Sequence, residues 1–456
     1  LGALVGIGCA TTGKKAAALP WKAGTEGVSV ASFDMPSGTR VAVGDKSLES
    51  SFPKGLDFAA GSGLAFDGID NNGDYVFWGI TDRGPNIDSP NVGKGEKIYS
   101  SKIFASPSFV PAYTKITVGA DGVKFGTPVT LKTGDGKNTT GLPLPANLVG
   151  STGEIALDVN LNELAPSADG YDTESIAFDA KDRRYIWVSD EYGPFAVKVE
   201  LATGKIVKKL APGSGLPELI AKRVPNRGAE GLAVTPNGKI YVMVQSILDD
   251  LSVSSSKSKA LFCRIVEYDP ATGKTRQFAY PIDAGYKKQA DCKLGDIAAL
   301  DNTHFLIIEQ GKRADKKMYN IVYKIDIADA TDITAVKASD GQELESVSSA
   351  ADLAALGVHM IAKTGLLDLR ANGWNVEKAE GLAVIDNRTI AGSSDNDFGL
   401  VTKVMNPIDG DDDPTDYTLQ DGRLYLNGKE ASGTTISAVS NGESGKLWMF
   451  RSDKSF

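Results

Sequence analysis

Thr173-Glu174-Ser175-Ile176-Ala177-Phe178-Asp179, followed by Arg184-Tyr185-Ile186-Trp187-Val188-Ser189-Asp190-Glu191-Tyr192-Gly193, reads as an acid, a short apolar strand, a polar turn, a second apolar strand and a polar end. The phrase recurs. Glu230-Gly231-Leu232-Ala233-Val234 leads through Pro236-Asn237-Gly238 to Tyr241-Val242-Met243-Val244-Gln245-Ser246. Asp296-Ile297-Ala298-Ala299-Leu300 leads to Phe305-Leu306-Ile307-Ile308-Glu309-Gln310, and Glu380-Gly381-Leu382-Ala383-Val384 leads to Thr389-Ile390-Ala391-Gly392-Ser393-Ser394-Asp395. An earlier copy is Ser62-Gly63-Leu64-Ala65-Phe66-Asp67, leading to Tyr75-Val76-Phe77-Trp78-Gly79-Ile80-Thr81-Asp82-Arg83. Repeats tens of residues long decide a fold before any other signal.

Working outward, each copy is followed by a second pair of strand-like runs. In the copy at Glu174 these are residues 196–200 and 205–210, joined at Ala202-Thr203-Gly204. Four short antiparallel strands per unit, with no βα alternation, predict an all-β chain and a β-propeller of four-stranded blades. Five copies are clear. Strand-like residues 28–33 and 447–450 are left over and complete a ring, because an open array exposes sheet edges. The expected number is six blades, with five and seven as alternatives. Residues 132–170, rich in Gly, Asn, Pro and Ser, read as an insertion, residues 351–356 as a helical turn, and residues 424–426 as part of the last copy.

The chain has 456 residues, 41% of them apolar, enough for one large repetitive domain. A net charge of −9 argues against nucleic-acid binding and fits a cation-binding surface or a plain acidic one. Two histidines and three cysteines, without CxxC or HxxxH spacing, exclude a thiolate or imidazole zinc site. No G-x-S-x-G elbow accompanies His304 or His359 for a serine triad.

Residues 1–23 read as a signal-peptide remnant or lipoprotein tether, and 24–456 as a single propeller domain. Val5-Gly6-Ile7-Gly8-Cys9 has the small residue before cysteine of a bacterial lipoprotein box, with Gly6 where a larger aliphatic is usual. Lipidation at Cys9 and export to the periplasm or cell surface are the expectation. Contact with a membrane is expected only through that anchor. Cys263 and Cys292 are then an even pair, either a disulfide or two buried thiols.

In a propeller, the position before each first strand sits at one mouth of the channel. Here it holds Glu174, Glu230, Asp296 and Glu380, with Ser62 in the remaining copy, so the expected gap faces the first blade. Carboxylates gathered on one axis repel, and cations or protons must neutralise some of them. A Ca²⁺ site is the functional reading, since Ca²⁺ takes several oxygen ligands. The alternative is that each acid faces an Arg of its own blade. Second-strand ends add Asp82, Arg83, Asp190, Glu191, Glu309 and Asp395, and Arg223 and Arg227 lie nearby; together they suit a small anionic substrate. Glu230, Arg227 and Arg83 are the candidate catalytic residues. The acidic stretch 409–413 lacks EF-hand spacing and reads as a solvated loop.

Ser62-Gly63-Leu64-Ala65-Phe66-Asp67 with Thr81-Asp82-Arg83-Gly84-Pro85, Asp172-Thr173-Glu174-Ser175-Ile176, Glu230-Gly231-Leu232-Ala233, and Glu380-Gly381-Leu382-Ala383 with Ser394-Asp395-Asn396-Asp397-Phe398 resemble the phytase-like family described as having esterase-like activity of phytase. The resemblance spans about residues 61–398. It implies an exported, propeller-like, calcium-assisted phosphoesterase or esterase, expected to be a monomer. A non-catalytic binding propeller with structural calcium, and a calcium-dependent lactonase, are the alternatives.

Overall fold

Asp70 folds the first repeat. Its carboxylate accepts from the amides of Asn72 (2.8 Å) and Asp74 (3.0 Å), and Gly73 takes a φ of +89°. Gly63–Ile69 is thereby turned back on Tyr75–Ile80 as an antiparallel hairpin. The computed structural model describes residues 16–249 and 260–456. Cys9 and the Ser/Lys-rich stretch 252–259 lie outside the described residues.

Each repeat becomes a four-stranded meander. The first blade adds Ala112–Gly119 and Gly122–Phe125. The second is Thr173–Phe178, Tyr185–Asp190, Phe195–Glu200 and Ile206–Pro212. The third is Ala229–Val234, Ile240–Val244, Phe262–Tyr268 and Thr275–Pro281. The fourth is Lys293–Ala299, His304–Lys312, Met318–Asp326 and Ala362–Asp368.

The fifth blade closes the ring. Gly381–Asp386 and Thr389–Ser393 pair with Lys446–Ser452 from the end of the chain, and that strand pairs with Val28–Asp34 from its start, Val30 opposite Phe450. The five inner strands touch in sequence, the fifth meeting the first. The ring therefore has five blades, not the expected six. The leftover terminal strands complete the fifth blade instead of founding another.

Each blade interface has its own apolar core. Tyr113 and Ile186 fill the first, Trp187 and Val242 the second, and Tyr241 and Phe305 the third. Leu306 with Trp448 fills the fourth, and Phe77 with Leu447 closes the circle. Burying an aromatic or aliphatic side chain contributes roughly 1.5–3 kcal/mol, so these interfaces hold the ring.

A second β layer stands on one end of the propeller. Asn86–Asp88, Ser101–Phe104 and Ile155–Leu157 form one sheet of it. Tyr417–Gln420, from the fifth-blade excursion, pairs with Asn91–Lys94 on one side and with Arg423–Leu426 on the other. Residues 424–426 thus belong to this layer and not to the last blade. Its core includes Ile87, Ile103, Leu157, Leu400 and Tyr417. Ala350–Ala355 is helical, as expected.

Candidate functional site

Five buried aliphatics, Leu64, Ile176, Leu232, Ile297 and Leu382, occupy equivalent places on the inner strands. They set the register of everything upstream. One residue before them come Gly63, Ser175, Gly231, Asp296 and Gly381; two residues before come Ser62, Glu174, Glu230, Gly295 and Glu380. Asp296 is therefore one place out of register with the three glutamates, and Gly295 holds the acid position of the fourth blade. A one-residue offset turns a side chain to the other face. The expected four-acid ring has three members. Its gaps lie at Ser62 and at Gly295, not at the first blade alone.

The layer containing Asp296 plugs the channel. A Cβ on Gly63 would stand 2.6 Å from the Ser175 Cα, and one on Gly231 would stand 2.9 Å from the Ile297 nitrogen. Close approach of the inner strands thus requires glycine there. The two side chains that do fit bond each other, the Ser175 hydroxyl donating to Asp296 at 2.7 Å. Asp296 also accepts from the amides of Ile297 (2.8 Å) and Leu382 (3.0 Å). Burial pushes it up to about 7 against these bonds. Beyond the plug, the far mouth is an apolar cavity of about 500 Å³ lined by Leu64, Phe66, Ile176, Leu232 and Leu382.

On the near side, Glu174, Glu230 and Glu380 converge. Each offers an oxygen within 4.8 Å of the others, and all three are buried. Three inner strands are bulged at this level, with register shifts between Thr173 and Ile176, Ala229 and Gly231, and Leu294 and Ile297. Bulges re-aim side chains and are frequent beside functional sites. Asp172, Glu174 and Glu191 form a second group of the same size, sharing Glu174. Gln245 Nε2 holds one Glu230 oxygen at 2.6 Å. The other Glu230 oxygen, the Gln245 side-chain Oε1 and the Ser62 hydroxyl are buried without a hydrogen-bond partner among the described residues.

Burial first, then the neighbouring carboxylates, hold Glu174 and Glu230 well above the ordinary range. Glu191 is pushed up to about 7 by burial and Asp172. Glu380 reaches about 8, burial and Asp395 outweighing the pull of Lys378. Asp82 is raised by burial, Asp395 and Asp172. Lys378 bridges Asp395 (2.6 Å) and Asp397 (2.8 Å) at the rim. Beside it a cavity of about 400 Å³ is lined by Asn86, Asp88, Lys102, Asp397, Thr402 and Asp412.

Arg83 and Arg223 are spent inside the fold, whereas Arg227 is half-buried and makes one backbone contact. Arg83 is buried, with Glu154 at 3.0 Å, the Tyr192 hydroxyl and Asn226 at 3.4 Å, and Asp172 at 3.5 Å; it ties the second layer to the second and third blades. Arg223 donates to the carbonyls of Gly150 (3.0 Å), Ser151 (3.2 Å) and Tyr192 (2.5 Å). Arg227 donates to the Ala290 carbonyl. Two expected substrate carboxylates are also engaged. Asp190 accepts from the amides of Asp172 (2.7 Å) and Gly193 (2.9 Å), and Glu309 takes Lys363 at 2.5 Å and the Tyr280 hydroxyl at 2.9 Å. Of the residues expected around an anion, Asp82, Glu191 and Asp395 stand beside the three-glutamate group.

Asp172, Lys293 and Lys378 escaped sequence reasoning, although the register marks them. They lie two residues before Glu174, Gly295 and Glu380. Cys263 and Cys292 are both free and buried in the core between the third and fourth blades. No helix among the described residues is long and apolar enough to cross a membrane.

No curated protein matches this chain. Among solved structures, the chain resembles the α-L-arabinofuranosidase PaAbf62A from Podospora anserina in complex with cellotriose. Identity is 8%, covering 92% of this chain and 97% of that one, with a TM-score of 0.35. It also resembles the PQQ-bound aldose sugar dehydrogenase from Streptomyces coelicolor at 12% identity, covering 94% and 100%, with a TM-score of 0.32. Similarity at that level says nothing of shared chemistry. The profile of the phytase-like family, described as esterase-like activity of phytase, matches residues 57–398, well over half of the sequence, and the chain belongs to that family.

Proposed function

We propose that this protein is an exported, calcium-assisted hydrolase of small anionic esters. The observation that carries the reading is the convergence of Glu174, Glu230 and Glu380 around buried, unpartnered oxygens. Three carboxylates facing each other inside a protein need either protons or a cation, and the orphaned Glu230 oxygen is a donor atom without a donor hydrogen to meet it. The residues fit a hard, oxygen-seeking cation. Glu174, Glu230 and Glu380 would hold it, and the group sharing Glu174, with Asp172 and Glu191, offers a second place. When bound, Ca²⁺ supplies positive charge that polarises a phosphoryl or carbonyl oxygen.

The chain's own groups do the rest. Gln245 fixes the orientation of Glu230 through its 2.6 Å hydrogen bond. Lys378, held between Asp395 and Asp397, presents a fixed cation at the rim for an ester's anionic group. Without a cation Glu380, at about 8, keeps its proton near neutral pH, and it must give that proton up to hold the ion. The cavity beside Asp397 gives the alcohol part of an ester room.

The test is turnover of phosphate and carboxylate esters by chelator-treated protein, with and without added Ca²⁺. Activity should require Ca²⁺ and fall at least a hundredfold in Glu230→Gln. Activity indifferent to both removes the reading. Anchoring through Cys9 is part of the proposal, and mass spectrometry of the mature N-terminus in a bacterial host tests it.

A further inference from the structure

Ser189 sits where two strand irregularities meet. In the second blade Thr173 faces Asp190 and Ile176 faces Val188, so Glu174 and Ser175 together oppose the single residue Ser189. In the third blade Ala229 faces Val244 and Gly231 faces Met243, which leaves Glu230 as the extra residue of its own bulge. A bulge takes backbone groups out of the ladder, and buried backbone groups need other partners. Here one side chain serves both bulges. The Ser189 hydroxyl oxygen accepts from the Ser175 amide at 2.9 Å, and the hydroxyl donates to the Glu230 carbonyl at 2.7 Å. Ser189, Ser175 and Glu230 are all buried, so bulk water does not compete for these bonds. The Ser175 hydroxyl is engaged elsewhere, on Asp296.

We propose that Ser189 is a positioning residue that clips the bulge carrying Glu174 to the bulge formed by Glu230, and so fixes the separation of these two carboxylates. One bonded atom belongs to the residue after Glu174 and the other to Glu230 itself, so a shift at the clip moves both side chains. A hydroxyl donates and accepts at once, which alanine cannot do. The Ser189 hydroxyl is committed to backbone and acts through the two acids, each of which offers an oxygen within 4.8 Å of the other. Buried like charges repel, and without the clip they are free to draw apart. The purpose of that spacing rests on the well holding a cation, and the test separates the two claims.

Calorimetric Ca²⁺ titration of chelator-treated wild type, Ser189→Ala, Ser189→Cys and Ser393→Ala is paired with urea unfolding of all four and with crystal structures of the chelated wild type and Ser189 variants. Ser393 is the control. Its hydroxyl also joins two blades, donating to the Gly61 carbonyl at 2.8 Å, but the ring position after Gly61 is Ser62 and not an acid. Ser189→Ala should weaken Ca²⁺ binding about tenfold, as loss of a group that orients a ligand does. Ser189→Cys should fall in between, since a thiol donates and accepts weakly. Ser393→Ala should lose comparable stability yet keep Ca²⁺ affinity within about twofold of wild type. In the chelated crystals the Glu174 and Glu230 oxygens should stand further apart in Ser189→Ala than in wild type. An unchanged separation, equal Ca²⁺ affinity in wild type and Ser189→Ala, or an equal loss of affinity in Ser393→Ala overturns this inference alone. A wider separation in Ser189→Ala with no Ca²⁺ uptake by wild type overturns the cation reading alone. If Ser189→Ala does not fold, Ser189→Cys decides by the same outcomes.

Discussion

Stripped of cations, the protein should lose stability as pH rises. Glu191 at about 7 and Glu380 at about 8 start from an ordinary value of 4.5. Both are raised on folding, so between about pH 4.5 and 8 the folded chain holds protons that the unfolded chain has released. The stability tied to those protons is complete below about 4.5 and is lost as pH climbs through 7 and 8. At about 1.4 kcal/mol per tenfold change in proton affinity, either group alone is worth roughly 3 to 5 kcal/mol. They share neighbours, so the two effects overlap and do not sum. For a chain of this size, about 5 kcal/mol lowers the melting midpoint by roughly 5 °C. Scanning calorimetry of chelated protein at pH 5.5, 7 and 8.5 measures the trend. With Ca²⁺ present the slope should flatten or reverse, because ionised carboxylates bind the cation and unfolded chain does not. A midpoint that stays constant or rises with pH in the chelated protein would refute the reasoning, since it would mean that these carboxyls ionise at no cost.

Other consequences are structural. Gly231→Ala should destabilise by about 1–3 kcal/mol in urea unfolding, because its Cβ meets the Met243 methyl at 2.7 Å and the Ile297 nitrogen at 2.9 Å. Arg83→Met should cost about 3–5 kcal/mol, leaving Glu154 and Asp172 buried without their cation; raised KM with unchanged stability would return Arg83 to a substrate role. Asp296→Asn should leave Ca²⁺ affinity within about twofold of wild type, since Asp296 faces Ser175 and not the three-glutamate group. Deleting residues 446–456 removes the strand between Thr389–Ser393 and Val28–Asp34, and the opened ring should lose its cooperative melt.

The repeat, its strands and its propeller closure were readable because period-two apolar runs and turn residues such as Asn72-Gly73 act locally. The blade number was not, because the fifth blade borrows Val28–Asp34 from the far end of the chain, a pairing that no local pattern encodes. Three of the four ring acids were placed correctly. Asp296 was not, because Asp-Ile-Ala-Ala imitates Glu-Gly-Leu-Ala one residue out of step, and only the buried aliphatic at Ile297 reveals the slip. The arginines misled because a guanidinium's partners are tertiary: Glu154 and Asn226 lie 71 and 143 residues from Arg83. Lys293 and Lys378 were within reach, since they stand two residues before the ring positions, as Asp172 does.

Glu174 belongs to both carboxylate groups, so it tests the central claim most directly. Calorimetric titration of chelator-treated protein with Ca²⁺ should show saturable binding with proton release, and Glu174→Gln should abolish it or weaken it at least tenfold. Absence of binding by wild type, or equal binding by Glu174→Gln, would contradict the account.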